Sequence, residues 1–248
     1  MIKFNNLDQL KQKLDSFRPL PPEIVKNIHE DIVLRWTYNS NAIEGNTLTL
    51  KETKVALEGI TVGGKTMKEH FEAINHRDAI FFVEDLVKKE SSLSEWNIKS
   101  IHQLILKNID DKNAGIYRSV NVTISGADHT PLDASQIASE MSNFISWYEK
   151  TDTQNLHPVE RAARVHADFV KIHPFVDGNG RTSRLLMNFE LIKDGFPPVV
   201  LPVEKRLSYY EALDIAHTKN NYQPFISLIT LIVEDSFDSY WFALGVNK

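Results

Sequence analysis

The sequence predicts a mainly α-helical protein, a helical bundle with one β-hairpin, and three observations point that way. No proline falls between Pro22 and Pro131, so that long interval lacks the residue that breaks helices. Apolar residues recur at three- and four-residue spacing through most of the chain. One stretch alone, Val120, Val122 and Ile124, alternates with polar residues as a strand does, before Ser125-Gly126 turns the chain.

Caps and breakers divide the helical part into elements. Leu7, Leu10, Leu14 and Phe17 form an apolar stripe that stops before Pro19. Pro21-Pro22 opens a second helix, with Ile24, Ile28, Ile32 and Trp36 on one face, running towards Ile43-Glu44-Gly45. Thr49-Leu50-Lys51-Glu52 has the capping-box pattern, in which hydroxyl and carboxylate each satisfy the other's backbone N–H, and the short helix behind it closes near Gly59. Phe71, Ile74, Phe81 and Leu86 predict a long amphipathic helix, and Ser94 caps another that carries Trp96, Ile101, Leu104 and Ile105. Ala127-Asp128-His129-Thr130-Pro131 is turn-rich, so residues 120–131 read as the hairpin. Helical spacing resumes with Ile137, Met141, Phe144 and Tyr148. It continues in a helix opened by Pro158, with Ala162, Val165, Phe169 and Ile172 inward, and in one carrying Leu185, Phe189 and Ile192 up to Gly195. Two more helices are expected, about 204–218 and 225–242.

Composition narrows the function. The 248 residues are 42% hydrophobic, enough to bury a sizeable core. With 28 Lys+Arg against 33 Asp+Glu the net charge is −5, which weighs against a protein that coats nucleic acid or an anionic membrane. The absence of cysteine excludes disulfides, Cys-ligated zinc and a thiol nucleophile. Residues 1–9 lack the basic-then-apolar pattern of a secretory signal, and the run from Phe225 to Val233 is far short of the ~20 residues that cross a bilayer. A soluble, cytoplasmic protein without a membrane or nucleic-acid partner is the expectation.

The chemistry concentrates in His173-Pro174-Phe175-Val176-Asp177-Gly178-Asn179-Gly180-Arg181-Thr182-Ser183-Arg184. Pro174 disfavours helical geometry at His173, so the helix from Pro158 ends there, where its dipole favours the imidazolium and strengthens the neutral ring as a base. Gly178 and Gly180 permit unusual backbone angles just before a new helix, and N–H groups at a helix start form an anion site. Arg181 and Arg184 share a face in the first turn, an unfavourable placement beside the positive dipole end unless an anion sits there. Asp177 supplies one hard oxygen suited to Mg²⁺ beside phosphates. Each feature alone is ordinary; together they are the parts for chemistry at a polyphosphate. Neither a P-loop nor a dinucleotide fingerprint is present.

Those residues resemble the signature of the Fic family, H-x-F-x-[DE]-G-N-G-R-x-x-R, at every defined position. The resemblance implies a Fic fold with the hairpin, about 118–132, as a flap. It also implies transfer of AMP from ATP to a hydroxyl side chain of a target protein, with release of pyrophosphate. Carried over, His173 is the general base, and Asp177 holds Mg²⁺, or Mn²⁺ in its place. Gly178, Asn179 and Gly180 cradle the α and β phosphates, Arg181 reaches the β phosphate and Arg184 the γ phosphate; Thr182 and Ser183 are grouped with these nucleotide-binding residues. Ser125, Gly126, Ala127 and Asp128 lie along the nucleotide and align the target by strand addition, while Tyr209 and Tyr210 flank the adenosine. His217 stands where some relatives carry Asn near the adenine.

Ser40-Asn41-Ala42-Ile43-Glu44-Gly45-Asn46 is similar to the family's inhibitory motif, [ST]-x-x-x-E-[GN]. A carboxylate at a helix C-terminus is disfavoured by the dipole, and a partner cation would explain it. The resemblance makes that partner Arg184, so that Glu44, with Ser40, would keep the γ phosphate from an attack-ready pose. The expected organisation is residues 1–60, containing an inhibitory helix at about 22–45, and a core at 61–248, forming one compact unit. Partners implied are a target presenting Tyr, Thr or Ser, with self-AMPylation and a homodimer also compatible. Two other readings stay open: removal of AMP using Glu44, and a nucleotide-responsive regulator without turnover.

Overall fold

The computed structural model describes residues 4–124 and 126–246, and helices dominate it. The first four follow the caps and breakers: α1 (Asn5–Asp15), α2 (Pro22–Ile43), α3 (Leu50–Leu57) and α4 (Met67–Lys88). Thr49 and Thr66 each form a complete capping box, with Glu52 and Glu69, at the starts of α3 and α4. Helix α5 (Glu95–Leu106) starts at Ser94, whose hydroxyl accepts from the Asn97 N–H. Then come α6 (Ile137–Tyr148), a one-turn α7 (Thr151–Gln154) with no apolar stripe to announce it, α8 (Pro158–Ile172) and α9 (Asn179–Lys193). The C-terminal part is α10 (Arg206–Lys219), α11 (Gln223–Ser236) and α12 (Asp238–Leu244).

Three expectations need correcting. The run expected as one helix over 225–242 is broken at Phe237, which is fully buried and joins α11 to α12. The stripe of α4 is displaced: Phe81 is exposed against His29, while Ala73, Ile80, Val83 and Leu86 face inward with the polar Glu72, Asn75 and His76. On α5, Trp96 is exposed and Ile98 takes the inward place. Large aromatic side chains misled the phase in both helices, because single exposed apolar residues are common.

The segment 118–133, where the hairpin is expected, leaves and returns through a closed neck, with no strand among the described residues. The neck is held by side chains rather than a ladder: Asn121 donates to Asp133 at 2.9 Å and accepts from the Ala134 N–H at 2.8 Å. Ser125 lies outside the described residues.

Helices α8 and α9 pack along each other at the centre and separate two cores. Ala162, Ala163 and Val170 of α8 join Leu7, Leu14, Ile43 and Ile229 on one side. Val165 and Phe169 join Trp36, Ile80, Ile101 and Phe144 on the other. Helix α9 is buried nearly all round although it is not apolar: Arg181, Arg184, Asn188 and Glu190 are buried in it along with Leu185, Leu186 and Phe189. The ends of α8 and α9 meet at residues 173–178, so the signature segment is fixed by the two best-buried helices of the molecule.

Candidate active site

His173 caps α8 in the left-handed conformation, φ 53° and ψ 57°, which ends the helix and turns the chain into Pro174. Phe175 then plugs into the core, stacked on the His102 ring at 3.5 Å. His102 accepts from the Gly115 N–H at 2.9 Å and donates its other nitrogen proton to the Asp177 carbonyl at 2.9 Å. Asn179 grips Phe175 from the far side, accepting from its N–H at 3.0 Å and donating to its carbonyl at 2.8 Å. The Asn179 side chain is thus occupied with bracing the turn. Gly178 takes φ +77°, and a Cβ there would press on the His102 ring and Ile105 at 3.2 Å. Helix α9 starts at once, presenting the N–H groups at its first turn beside Gly180.

Both arginines of the segment are buried, and carboxylates from outside it face them. Arg184 donates Nε to Ser40 Oγ at 3.0 Å, and Nη2 to the Ser40 carbonyl at 2.8 Å and to Glu44 Oε1 at 2.7 Å. Its Nη1 points to the Tyr209 hydroxyl at 3.4 Å, which itself meets His166 at 3.1 Å. Arg181 lies 3.2 Å from Glu72 and 3.5 Å from Asp177. Glu72, which no sequence signal marked, accepts from Asn46 at 2.8 Å and so ties the end of α2 to Arg181 as well.

Next to these groups lies a cavity of about 300 Å³, whose lining includes none of Arg181, Arg184 and Asp177. Glu44, His173 and Gly180 line it, with Gly126 and Ala127 of the loop and Tyr209, Tyr210 and His217 of α10. His129, Leu213 and Asp214 line it too, and the sequence reading missed them. Leu213, Asp214 and His217 share the face of α10 that carries Tyr209 and Tyr210, a signal usable only once the helix phase and its neighbours are known. Thr182 and Ser183 do not line the cavity: both are buried, and Ser183 donates to the Gly180 carbonyl at 2.8 Å. Asp128 is likewise absent from the lining. Tyr209 is buried at 2% exposure with its hydroxyl turned to Arg184, whereas Tyr210 is 37% exposed at the rim. A larger cavity of about 660 Å³, lined mainly by apolar residues of α2 and the segment around Phe196, contains no signature residue.

At His173 burial outweighs the helix end. Burial pushes His173 down to about 4, with Arg118 and His129 adding to the effect, while the Val170 carbonyl and Glu44 oppose it. Desolvation of the charged ring outweighs the helix end. Burial also pushes His102 and His217 down to about 4, and holds His76 and His166 well below the ordinary value. In the unfolded chain these imidazoles take up protons near 6.5, so between pH 6.5 and 4 the unfolded state binds more protons than the folded one. Stability therefore falls as pH drops through that window, by about 3 kcal/mol at most for a ring shifted from 6.5 to about 4. Urea midpoints at pH 7, 5.5 and 4.5 should decrease in that order; equal midpoints at pH 7 and 4.5 would contradict it.

Residues 92–191 match the Fic/DOC family. Among curated proteins, the chain is 37% identical over 238 residues to the protein adenylyltransferase Fic of Nematostella vectensis, covering 94% of this chain and 55% of that one. It is 36% identical over 216 residues to the protein adenylyltransferase fic-1 of Caenorhabditis elegans, covering 86% and 42%. The chain thus spans about half the length of these relatives. Among solved structures, a Fic domain containing signaling protein from Bacteroides thetaiotaomicron superposes with a TM-score of 0.90 at 30% identity, with 98% of both chains covered. Fic-1 from C. elegans gives 0.86 at 32% identity, covering 97% of this chain and 70% of that one. Since the likeness extends over nearly the whole of a solved Fic structure and includes the complete turn from His173 to Arg184, the chain belongs to the Fic/DOC family.

Proposed function

We propose that this protein transfers AMP from ATP to a hydroxyl side chain of a target protein and that it rests in an inhibited state. The observation that carries the reading is the position of His173 and Gly180 on one cavity with Glu44, whose carboxylate stands between that cavity and the buried Arg184. The names of the relatives, protein adenylyltransferases, support the same reaction class.

In the reaction, neutral His173 takes the proton of the target's Tyr, Thr or Ser hydroxyl as its oxygen attacks the α phosphorus. The bond from that phosphorus to the bridging oxygen breaks, AMP stays on the target, and pyrophosphate leaves with the electron pair. The free N–H groups at the start of α9 face the developing negative charge. Asp177 is half exposed beside the turn, its side chain at 55%, and would be the residue to hold Mg²⁺ or Mn²⁺. When bound there, the ion would offset phosphate charge. Ser119, Val120 and Asn121 are exposed, and this limb of the loop suits the extended segment of a target, by strand addition.

Glu44 restrains this chemistry by holding Arg184, so that a γ phosphate finds no guanidinium and ATP settles out of line. Wild-type and Glu44→Gly protein incubated with labelled ATP and lysate test this: equal labelling would exclude inhibition by Glu44. One feature favours a second activity. Arg184 engages one carboxylate oxygen of Glu44, and Glu44 itself lines the cavity, where its other oxygen could orient a water to remove AMP from a modified target. Loss of AMP release on Glu44→Gly is the expected mark of that activity, and undiminished release would exclude it.

A further inference from the structure

Arg118 stands outside the signature segment, yet it makes more contacts with the backbone of the site than any residue within it. It is 3% exposed, and the carboxylate that acts on it is Asp133, on the returning limb of the loop, through space rather than in a direct ion pair. A buried cation without a direct ion pair is costly, so its hydrogen bonds carry much of the reason for it. Nε donates to the His173 carbonyl at 2.8 Å, Nη1 to the Val120 carbonyl at 2.9 Å and Nη2 to the Leu132 carbonyl at 2.5 Å. The backbone N–H of Arg118 donates to the Pro174 carbonyl at 2.9 Å.

One planar fork therefore joins three separate pieces of chain: the left-handed residue that ends α8, and the outgoing and returning limbs of the 118–133 loop. A left-handed histidine is a strained conformation that persists only when its surroundings hold it, and Arg118 takes both carbonyls of His173-Pro174. Among its described residues the loop has no ladder to hold its limbs together, and it contributes Ile124, Gly126, Ala127 and His129 to the cavity wall. We infer that Arg118 is a positioning residue that locks the His173 ring and the 118–133 loop into one unit, so that base and loop wall are set together.

This rests on the reading of His173 as the base, but its structural part can be measured without activity. Charged and titratable groups facing His173 are Arg118 itself, Glu44 just past the end of α2, His129 on the loop and His217 on α10. Arg118 opposes protonation of the ring, so Arg118→Gln should raise the His173 titration midpoint followed by NMR. It should also speed proteolysis within 119–133 at least tenfold. Arg118→Lys keeps the charge but loses the fork: the midpoint should hold while the loop is still cut faster.

In a Glu44→Gly background, Arg118→Lys should lower kcat at least tenfold, with KM for ATP changed less than threefold. An unchanged loop cleavage rate in Arg118→Lys, or a loss confined to KM for ATP, would overturn the inference, and the lysine variant serves if the glutamine one does not fold. If the Glu44→Gly parent itself transfers no AMP, the proposed function fails, while proteolysis and titration still decide the role of Arg118.

Discussion

Replacing Glu44 with glycine is expected to raise AMP transfer by between one and two orders of magnitude. Arg184 is buried, and its contact with Glu44, at 2.7 Å, is a charge-assisted hydrogen bond with a partner whose side chain is 33% exposed. Such a bond contributes about 1.5–3 kcal/mol when buried, less as water reaches it, and each 1.4 kcal/mol is about a factor of ten. Phosphate must displace that contact to reach the guanidinium, so removing it returns the same free energy to productive ATP binding. The two Ser40 contacts to Arg184 remain in the variant, and they keep the release from being larger. Glu44→Gln keeps the shape and loses the charge, so it should fall between wild type and glycine. The variant should also be less stable, because it leaves a buried guanidinium short of its counter-ion. A glycine variant that labels no faster than wild type while binding ATP normally would show that the Arg184 pairing does not limit the reaction.

Removing the base should have a larger effect in the opposite direction. In the Glu44→Gly protein, His173→Ala is expected to lower kcat by about 10²–10⁴, the usual contribution of a positioned general base. ATP binding should change little, because His173 holds none of the groups that face the phosphates. The pH profile separates this role from a merely structural one. With His173 pushed down to about 4, the ring is neutral throughout the physiological range, so kcat/KM should keep its value down to pH 5 and decline only around 4. An acid limb near 6.5 would mean that the ring is solvated in the working enzyme, contrary to its burial here.

Much of the fold was legible because its signals are local. Caps such as Thr49 with Glu52, breakers such as Pro22 and Pro158, and stripes such as Ile137, Met141, Phe144 and Tyr148 each act within a few residues. What was not legible has a common cause. What ties the limbs around the strand-like alternation at Val120 depends on distant residues, and among the described residues Arg118 and Asn121 do so. Similarly, α11 and α12 read as one apolar run because nothing local says that Phe237 turns inward to pack against Phe196 and Trp241.

By itself the sequence determined the helical class, the turn from His173 to Arg184 with its family signature, and the presence of Glu44 at the end of a helix. The tertiary structure alone decided what those residues meet. Glu44 lies 140 residues from Arg184 in the chain, and only the packing of α2 beside α9 brings them to 2.7 Å. The state of His173 was decided the same way: a helix end seen in sequence favours its charged form, but burial, which depends on every neighbouring element, is the stronger effect and keeps the ring neutral.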